Sequence, residues 1–185
     1  MTKNKNSAST GLTVVAAIAV IALLFSLINL NHCRKQLATP KVVENPSVTY
    51  EIEGVPTTMK DGMSKVAIPD TPMSTVTTYF GQTSGDFDGN ESTDTARILV
   101  QENGGSGTAY YLVVDLTTAN GIVGTPGVFL GDRILIDALW TEDNEISIVF
   151  REHGENQAMY EMPEVSVEKN FTVVDGALQE VKATE

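Results

Sequence analysis

The chain contains few of the residues from which nucleophilic active sites are built. Its 185 residues include one cysteine, Cys33, and two histidines, His32 and His153. A single cysteine allows no intrachain disulfide, so packing must stabilise the fold, with or without help from a metal ion. Any Ser-His-Asp or Cys-His site beyond residue 33 would depend on His153 alone. We therefore expect a protein that binds rather than catalyses.

Basic side chains are scarce in most of the chain. Five of the twelve Lys and Arg residues precede Asn45, whereas only Glu44 of the twenty-four acidic residues does. The remainder carries seven basic and twenty-three acidic side chains, a formal charge of −16. Such a surface repels phosphate backbones, which argues against nucleic-acid binding. Cations and basic protein partners are the ligands that this charge favours.

Long hydrophobic runs are absent except for one near the N-terminus. Residues 11–30 read GLTVVAAIAVIALLFSLINL, twenty residues without charge or proline. An α-helix rises about 1.5 Å per residue, so this run would cover roughly 30 Å, the thickness of the hydrocarbon core of a bilayer. The sequence predicts a transmembrane signal-anchor helix at residues 11–30, after a short N-terminal tail at residues 1–10.

Two other interpretations of this run remain open. The apolar region of a cleaved signal peptide is usually about 7–15 residues long and ends at a small-x-small site. No such site follows residue 30. Cys33 follows the run as the lipidated cysteine of a bacterial lipoprotein would, although Leu30 is the only lipobox residue before it. We favour the uncleaved anchor over cleavage or lipidation.

The orientation of the anchor is set by basic residues at both of its ends. Lys3 and Lys5 precede the run, and three basic residues follow it, so the count alone slightly favours a cytoplasmic C-terminal part. The short N-terminal tail and the character of the following domain favour the opposite orientation. We expect a single-pass protein of the bacterial inner membrane, with its C-terminal domain in the periplasm or outside the cell.

Beyond a linker at residues 31–45, the pattern of residues 46–185 is that of one acidic β-rich domain. Apolar and polar residues alternate at 48–53, 96–101 and 145–151, which predicts half-buried strands. Residues 110–116 and 133–140 are more continuously apolar, which predicts central strands buried on both faces. Residues 103–107 and the pair Asp175 and Gly176 predict turns between strands. We expect a mainly β fold, an antiparallel sandwich or a barrel-like sheet.

One segment, residues 86–94, has a pattern typical of a metal site, and we call it the acidic loop. It reads DFDGNESTD and directly follows Gly85. Oxygen-bearing residues occupy its first, third, fifth, seventh and ninth positions, the seventh through its backbone carbonyl. Calcium prefers six to eight oxygen ligands, and alternating acidic residues in a tight turn supply them. The alternative is an acidic surface turn without a metal. The predicted ligands are Asp86, Asp88, Asn90, Ser92 and Asp94.

The acidic loop resembles the DxDGDGxxD calcium loops of FG-GAP and integrin-type repeats and, more loosely, an EF-hand loop without its helices. It departs from them at Glu91, where those loops prefer glycine because the backbone often needs a positive φ. Asn90 replaces an aspartate, and Arg97 stands where an EF-hand has its bidentate glutamate. The resemblance implies a calcium ion bound by the loop.

A wider resemblance depends on the order of several short segments. Residues 50–54 (YEIEG), 79–81 (YFG), the acidic loop, 104–111 (GGSGTAYY) and 129–134 (FLGDRI) follow each other as in a group of uncharacterised exported bacterial domains. In that group the loop often reads GDLNGDGxxD, and many members look like lipoproteins. The resemblance implies a location in the cell envelope and a cation site, and it supplies no activity.

Two functions are consistent with these features. The first is a membrane-tethered binding or interaction module of the cell envelope, stabilised by calcium at the acidic loop. The second is a hydrolase of envelope polymers that uses paired carboxylates, since the domain is rich in acids and the distances between them are invisible in the sequence. We favour the first.

Overall fold

The computed structural model describes residues 47–181, which all lie in one compact unit, Glu44–Glu185. These residues form strands and no helix, which confirms the predicted mainly β fold. The strands are β1 (Val48–Ile52), β2 (Val55–Met59), β3 (Met63–Ala67), β4 (Ser74–Gly85), β5 (Asp94–Glu102), β6 (Thr108–Thr118), β7 (Gly121–Gly124), β8 (Val128–Asp132), β9 (Leu135–Glu142), β10 (Glu145–Glu152), β11 (Val165–Val174) and β12 (Ala177–Val181).

The N-terminal predictions concern a different part of the chain. The tail at residues 1–10, the transmembrane helix at residues 11–30 and the linker at residues 31–45 lie outside the described residues. Within residues 47–181, no helix has the length and apolar character needed to cross a bilayer. The anchor, its cleavage and its orientation therefore stay predictions.

The described strands pair antiparallel in three sheets. The largest sheet has the order β3-β4-β5-β6-β7, and β8 pairs with β6 as well. β7 and β8 share one edge of β6 because β8 pairs with its first half and β7 with its last four residues. The second sheet has the order β12-β11-β10-β9, and β1 pairs with β2 in a separate hairpin.

The sheets curl because their registers shift at three places. These irregularities lie in β4 after Tyr79, between β6 and β8 at Tyr110, and between β10 and β9 at Val149. A β-bulge bends its strand and increases the local twist. The curl brings β4 beside β9, where the hydroxyl oxygens of Thr83 and Thr141 lie 3.0 Å apart.

The main core lies on one face of the central strands β5 and β6. Ala96 and Ile98 of β5 and Leu112 and Val114 of β6 are fully buried there. They pack against the inward residues of the four-stranded sheet, whose alternation in β10 was predicted from the sequence. Those inward residues include Ile146, Ile148, Phe150 and Phe171.

A second core lies on the opposite face of the same two strands. Leu99, Tyr111 and Val113 pack there against the inward residues of the β1-β2 hairpin, which are Val48, Tyr50, Ile52 and Met59. β5 and β6 are therefore covered on both faces. The continuous apolar pattern predicted this for residues 110–116, and the structure confirms it.

Two strand predictions are wrong in a way that the packing explains. Residues 133–140 were expected to form a doubly buried central strand, but β9 is an edge strand of the four-stranded sheet and is only partly buried. Conversely, the alternation in β5 suggested a solvent-facing side, yet Arg97 on that side is 5% exposed. The alternation of apolar and polar residues shows which side chains are polar, but it does not show whether a polar side chain is exposed. Arg97 is polar and is nevertheless buried in the second core.

The two predicted turns are confirmed. Residues 103–107 join β5 to β6, and Asp175 and Gly176 join β11 to β12. Asp175 has φ 51° and Gly176 has φ 75°, the two positive values of a type I′ hairpin turn.

Arg97 is neutralised inside the second core by Asp115 of β6. Its Nε donates to Asp115 Oδ2 over 2.7 Å, and the two side chains are only 6% and 5% exposed. Asp115 Oδ1 accepts the hydroxyl of Tyr50, which links the β1-β2 hairpin to the central sheet. Arg97 also donates to Gln82 and lies 4.6 Å from the centroid of the Tyr79 ring. The guanidinium is thereby held by a carboxylate, an amide oxygen and an aromatic ring.

Burial of this network changes the acidity of its tyrosines. Desolvation, followed by the hydrogen bond to Asp115, raises the pKa of Tyr50 far above its ordinary value of 10.0. Desolvation also raises the pKa of Tyr79, whose hydroxyl lies 3.1 Å from that of Tyr50. On the same face, desolvation and the neighbouring Glu53 raise the pKa of Tyr111 to about 12.

Removing the carboxylate of Asp115 should destabilise the fold, because Arg97 is buried beside it. We expect Asp115→Asn to lower the free energy of unfolding by about 3 kcal/mol, because Arg97 would keep its charge in a site without a counter-charge. The matched control is Asp137→Asn, which removes the partner of the half-exposed Arg151. It should cost less than about 1 kcal/mol. Urea denaturation followed by fluorescence of the single tryptophan, Trp140, measures both, and equal losses would contradict the assignment.

The tyrosine pKa shifts predict a loss of stability at alkaline pH. A phenol whose pKa is higher in the folded than in the unfolded chain contributes fully below the unfolded value, near 10.0, and the contribution is lost as the pH rises above it. We expect Tm to fall from about pH 9.5 upward. Tyr50→Phe should have a lower Tm at neutral pH and a shallower alkaline slope. Parallel slopes for both proteins would show that Tyr50 does not contribute to this dependence.

Candidate metal centre

The acidic loop closes the hairpin between β4 and β5. Gly85 ends β4 and pairs with Asp94, the first residue of β5, so the two ends of the loop are fixed in one ladder. The backbone of the loop then turns sharply through Gly89, which has φ 75°. The acidic loop is therefore a tight turn between two paired strand ends.

Three of the five predicted ligands converge. One carboxylate oxygen from each of Asp86, Asp88 and Asp94 lies within 4.8 Å of the other two. Asp88 is exposed, Asp86 is partly buried and Asp94 is completely buried. The sequence spacing alone predicted this convergence, because all three residues belong to one short loop.

Asp86 organises the turn by accepting backbone N–H groups. Its Oδ1 accepts from Gly89 at 2.9 Å and Asn90 at 3.1 Å, and its Oδ2 accepts from Glu91 at 3.0 Å. An ionised carboxylate has about four lone-pair sites on its two oxygens. Asp86 therefore has a site left on Oδ2 for a cation while it holds the loop in shape.

Asp94 connects the loop to the central sheet. Its Oδ2 accepts the N–H of Phe87 at 2.9 Å, and its Oδ1 accepts the N–H of Thr117 in β6 at 2.8 Å. Both oxygens are thus hydrogen-bonded although the residue is 0% exposed. These two bonds fix the position of the carboxylate between the loop and β6.

The other two predicted ligands are engaged within the loop. Asn90 donates its side-chain amide to Asp88 Oδ2 at 3.0 Å and to the Thr117 carbonyl at 2.9 Å. Its Oδ1 accepts the N–H of Ser92 at 2.7 Å. The donor side of the amide thus faces Asp88. Ligand roles for the Asn90 side chain and the Ser92 carbonyl stay predictions.

Phe87 anchors the loop, a role that the sequence did not reveal. Its side chain is 5% exposed and belongs to the main core, although it stands between two acidic residues. Gly85 makes room for it: a Cβ there would lie 2.9 Å from both the Phe87 ring and the Thr141 methyl group. The feature of the sequence that could have indicated this role is an aromatic residue inside an otherwise polar loop.

Glu91, at which the acidic loop departs from the calcium-loop pattern, has the backbone conformation expected at that position. Glu91 has φ 66°, the left-handed conformation for which such loops use glycine. The hydrogen bond from its N–H to Asp86 holds it there. Glutamate therefore fits the geometry at an energetic cost and leaves the turn intact.

Asp132 and His153, which lie outside the loop, take part in structural contacts. Asp132 forms an ion pair with Arg133 at 2.7 Å and accepts the N–H of Thr108 at 2.8 Å. Burial opposes ionisation of Asp132, but these bonds outweigh it and hold the pKa of its carboxyl below its ordinary value. His153 Nε2 lies 3.0 Å from the carbonyl of Glu161, within the connection between β10 and β11.

Comparison with known proteins adds no further constraint. The chain matches no protein-family model, no curated protein and no solved structure. The resemblance of the acidic loop to calcium loops therefore stays a prediction, and the case for a metal ion depends on the geometry of the loop itself.

Replacing Glu91 by glycine should stabilise the domain. The left-handed conformation costs a residue with a Cβ about 1–2 kcal/mol, part of which is offset by the greater freedom of glycine in the unfolded chain. We expect Glu91→Gly to raise the free energy of unfolding by roughly 1 kcal/mol. Glu91→Ala removes the same charge but keeps the Cβ, so it should give no such gain. A gain of equal size in both variants, measured by urea denaturation, would mean that charge rather than backbone strain is responsible.

Proposed function

We propose that the chain is a membrane-tethered module of the cell envelope that binds a partner through its acidic β domain, and that its acidic loop holds a calcium ion. The observation that carries the metal assignment is the convergence of Asp86, Asp88 and Asp94, with carboxylate oxygens within 4.8 Å. The tether is supported by the uncharged apolar run at residues 11–30.

The chemistry of the loop favours calcium among the common metals. It offers only oxygen donors, without a histidine or cysteine, and hard cations prefer such ligands. Calcium tolerates irregular coordination by six to eight oxygens, so three carboxylates can be supplemented by a backbone carbonyl and water. Magnesium demands a nearly ideal octahedron, which this set does not impose.

Calcium should stabilise the folded chain. For a dissociation constant of about 0.1 mM, typical of extracellular calcium modules, 10 mM calcium adds roughly 2.7 kcal/mol. We expect a rise in Tm of roughly 5–10 °C, measured on the full chain in a nonionic detergent. Magnesium at the same concentration should give a clearly smaller rise.

A variant of one predicted calcium ligand distinguishes calcium binding from general screening of the negative charge. Asp88→Asn should abolish most of the calcium effect while leaving the metal-free Tm nearly unchanged, because Asp88 is exposed and, within residues 47–181, accepts hydrogen bonds only from Asn90. Asp175→Asn, in the β11-β12 turn, removes one acidic charge elsewhere and should respond as the original chain does. A calcium shift that is missing, or that survives Asp88→Asn, would remove calcium from the proposal.

The tether and its direction need a separate measurement. We expect a periplasmic reporter fused after Glu185, such as alkaline phosphatase, to be active in a bacterial host, and a cytoplasmic reporter at the same position to be inactive. Deleting residues 11–30 should release the chain from the membrane fraction. Activity of the cytoplasmic reporter instead would place the acidic domain inside the cell.

The hydrolase alternative requires two acids that act together. Glu53 and Asp132 line the same surface depression, beside Tyr111 and Phe129. A glycoside hydrolase needs one carboxyl group that keeps its proton near neutral pH. The lowered pKa of Asp132 and its ion pair with Arg133 disfavour that role. We therefore propose binding as the function.

A further inference from the structure

The β1-β2 hairpin is too short to cover the whole sheet face that carries the second core. Its strands have five residues each, whereas β5 and β6 have nine and eleven. Next to the turn of the hairpin, at Glu53, two depressions of about 190 and 280 Å³ lie on this face. Both are lined by Glu53 and Gln101, so they lie side by side, and Phe129 lines the larger one. We call the two together the Phe129 groove.

A row of residues crosses four strands and lines the groove. In the register of the sheet, Thr77 of β4 lies opposite Gln101 of β5, Gln101 lies opposite Ala109 of β6, and Ala109 lies opposite Asp132 of β8. All four residues line one or both of the depressions. Neighbouring strands are about 4.8 Å apart, so the row is about 14 Å long. The groove therefore has the length for an elongated ligand that crosses the strands.

The lining offers hydrogen-bond donors and acceptors together. Gln101 donates one amide N–H to Thr77 Oγ1 at 3.2 Å, and it keeps a second N–H and a carbonyl oxygen for a ligand. Asn103 Oδ1 accepts the N–H of Gly105 at 3.2 Å, which leaves two amide N–H donors. Glu53 adds a carboxylate, which accepts only. Hydroxyl groups both donate and accept, so a ligand rich in hydroxyl groups matches this lining.

The groove carries little net charge although the domain is strongly acidic. Among the described residues, the charged ones in its lining are Glu53 and Asp132. Arg133 pairs with Asp132 at 2.7 Å, so Glu53 is left as the one carboxylate without a counter-charge in this lining. An anionic ligand would find no basic side chain there, and a strongly basic ligand would find one acid. The groove therefore favours a neutral ligand.

Exposed apolar side chains lie beside these polar groups. Phe129 is 50% exposed, and its ring centroid lies 5.5 Å from that of Tyr111. Val55 and Val66, which line the smaller depression, are about half exposed as well. The face of an aromatic ring packs favourably against apolar C–H groups. A pyranose ring has a face of C–H groups and an edge of hydroxyl groups, so it matches both features of the groove.

An extended peptide matches the groove less well than a saccharide does. Peptides bind to sheets by adding a strand at an edge, where backbone groups are free. Gln101 and Ala109 lie in strands that are paired on both sides, so their backbone groups belong to the ladders of the sheet. This face therefore offers side chains to a ligand, and the hydroxyl groups of a saccharide need no backbone partner.

We propose that the Phe129 groove binds a neutral oligosaccharide. One sugar ring packs on Phe129, and hydroxyl groups of the saccharide bond to Gln101, Asn103 and Glu53. The proposal names the ligand class of the binding role proposed above and rests on that role. The saccharide is bound without cleavage, because Asp132 is held ionised and cannot act as the acid of a hydrolase.

The groove and the acidic loop lie at opposite ends of the β4-β5 ladder. Val76 pairs with Glu102 at the end beside the groove, and Gly85 pairs with Asp94 at the end beside the loop. Binding of a saccharide should therefore not depend on calcium.

Calorimetric titration of the full 185-residue chain tests the proposal. The chain is kept in a polyoxyethylene detergent, which has no sugar headgroup. The probes are cellohexaose, maltohexaose and chitohexaose, which are neutral and differ in linkage or substitution. We expect saturable binding of at least one of them, with an affinity that persists at high salt because a neutral ligand is not screened. The bound sugar should be recovered uncleaved.

The exposed phenylalanines of the chain provide a matched pair of variants. Phe129→Ala should weaken binding at least about tenfold, or about 1.4 kcal/mol, because the packing surface for the sugar ring is lost. Phe80 is 58% exposed, and its ring centroid lies 6.3 Å from that of Tyr110, but it does not line the groove. Phe80→Ala should bind the saccharide as the original chain does.

A second pair of variants keeps the test decisive if Phe129→Ala does not fold. Gln101→Ala should also weaken binding, since it removes a donor and an acceptor from the lining. Its control is Gln179→Ala, at an exposed position of β12, which should have no effect. Circular dichroism of each variant shows whether the fold is retained.

Four results would overturn the proposal: no binding of any of the three saccharides, binding that is lost at high salt, equal weakening by a variant and its control, or equally tight binding of a neutral Gly-Ser hexapeptide. Asp88→Asn should leave saccharide binding unchanged. A failure here leaves the tether and the calcium ion to their own experiments, and a failure of either of those leaves the titration valid.

Discussion

The fold depends on two adjacent strands, β5 and β6, that are covered on both faces. Burial on both faces would normally require apolar residues throughout, yet these strands carry Arg97 and Asp115 within the second core. Their 2.7 Å ion pair, completed by Tyr50, makes that core possible. A buried pair of this kind adds little net stability over apolar packing, but through Tyr50 it links the β1-β2 hairpin to the central sheet.

The same two strands hold the candidate metal centre. Asp94 begins β5, and its carboxylate binds the N–H of Thr117 near the end of β6. Phe87 anchors the other side of the loop in the main core. The carboxylates are therefore held together by bonds that do not involve a metal, and a cation would find a site that is largely preorganised.

The features that could be predicted from the sequence are those that depend on residues close together in the chain. The alternation in β1, the turn at Asp175 and Gly176, and the convergence of the acids in one short loop all result from neighbouring residues. The pairing of Arg97 with Asp115 joins two strands in register and leaves no local trace, so β5 was expected to face solvent on one side. β9 was misplaced because an apolar strand at a sheet edge resembles a central one. Phe87 was missed because its burial depends on the space above Gly85 and on the facing sheet.

Amide hydrogen exchange of the folded chain tests most directly whether β5 and β6 are the element on which the rest depends. We predict the slowest exchange in Asp94–Glu102 and Thr108–Thr118. The amides of Phe87 and Thr117, which donate to Asp94, should be protected even without calcium. Exchange in β5 and β6 as fast as in the edge strands β3 and β7, or protection of Phe87 only when calcium is added, would contradict this dependence.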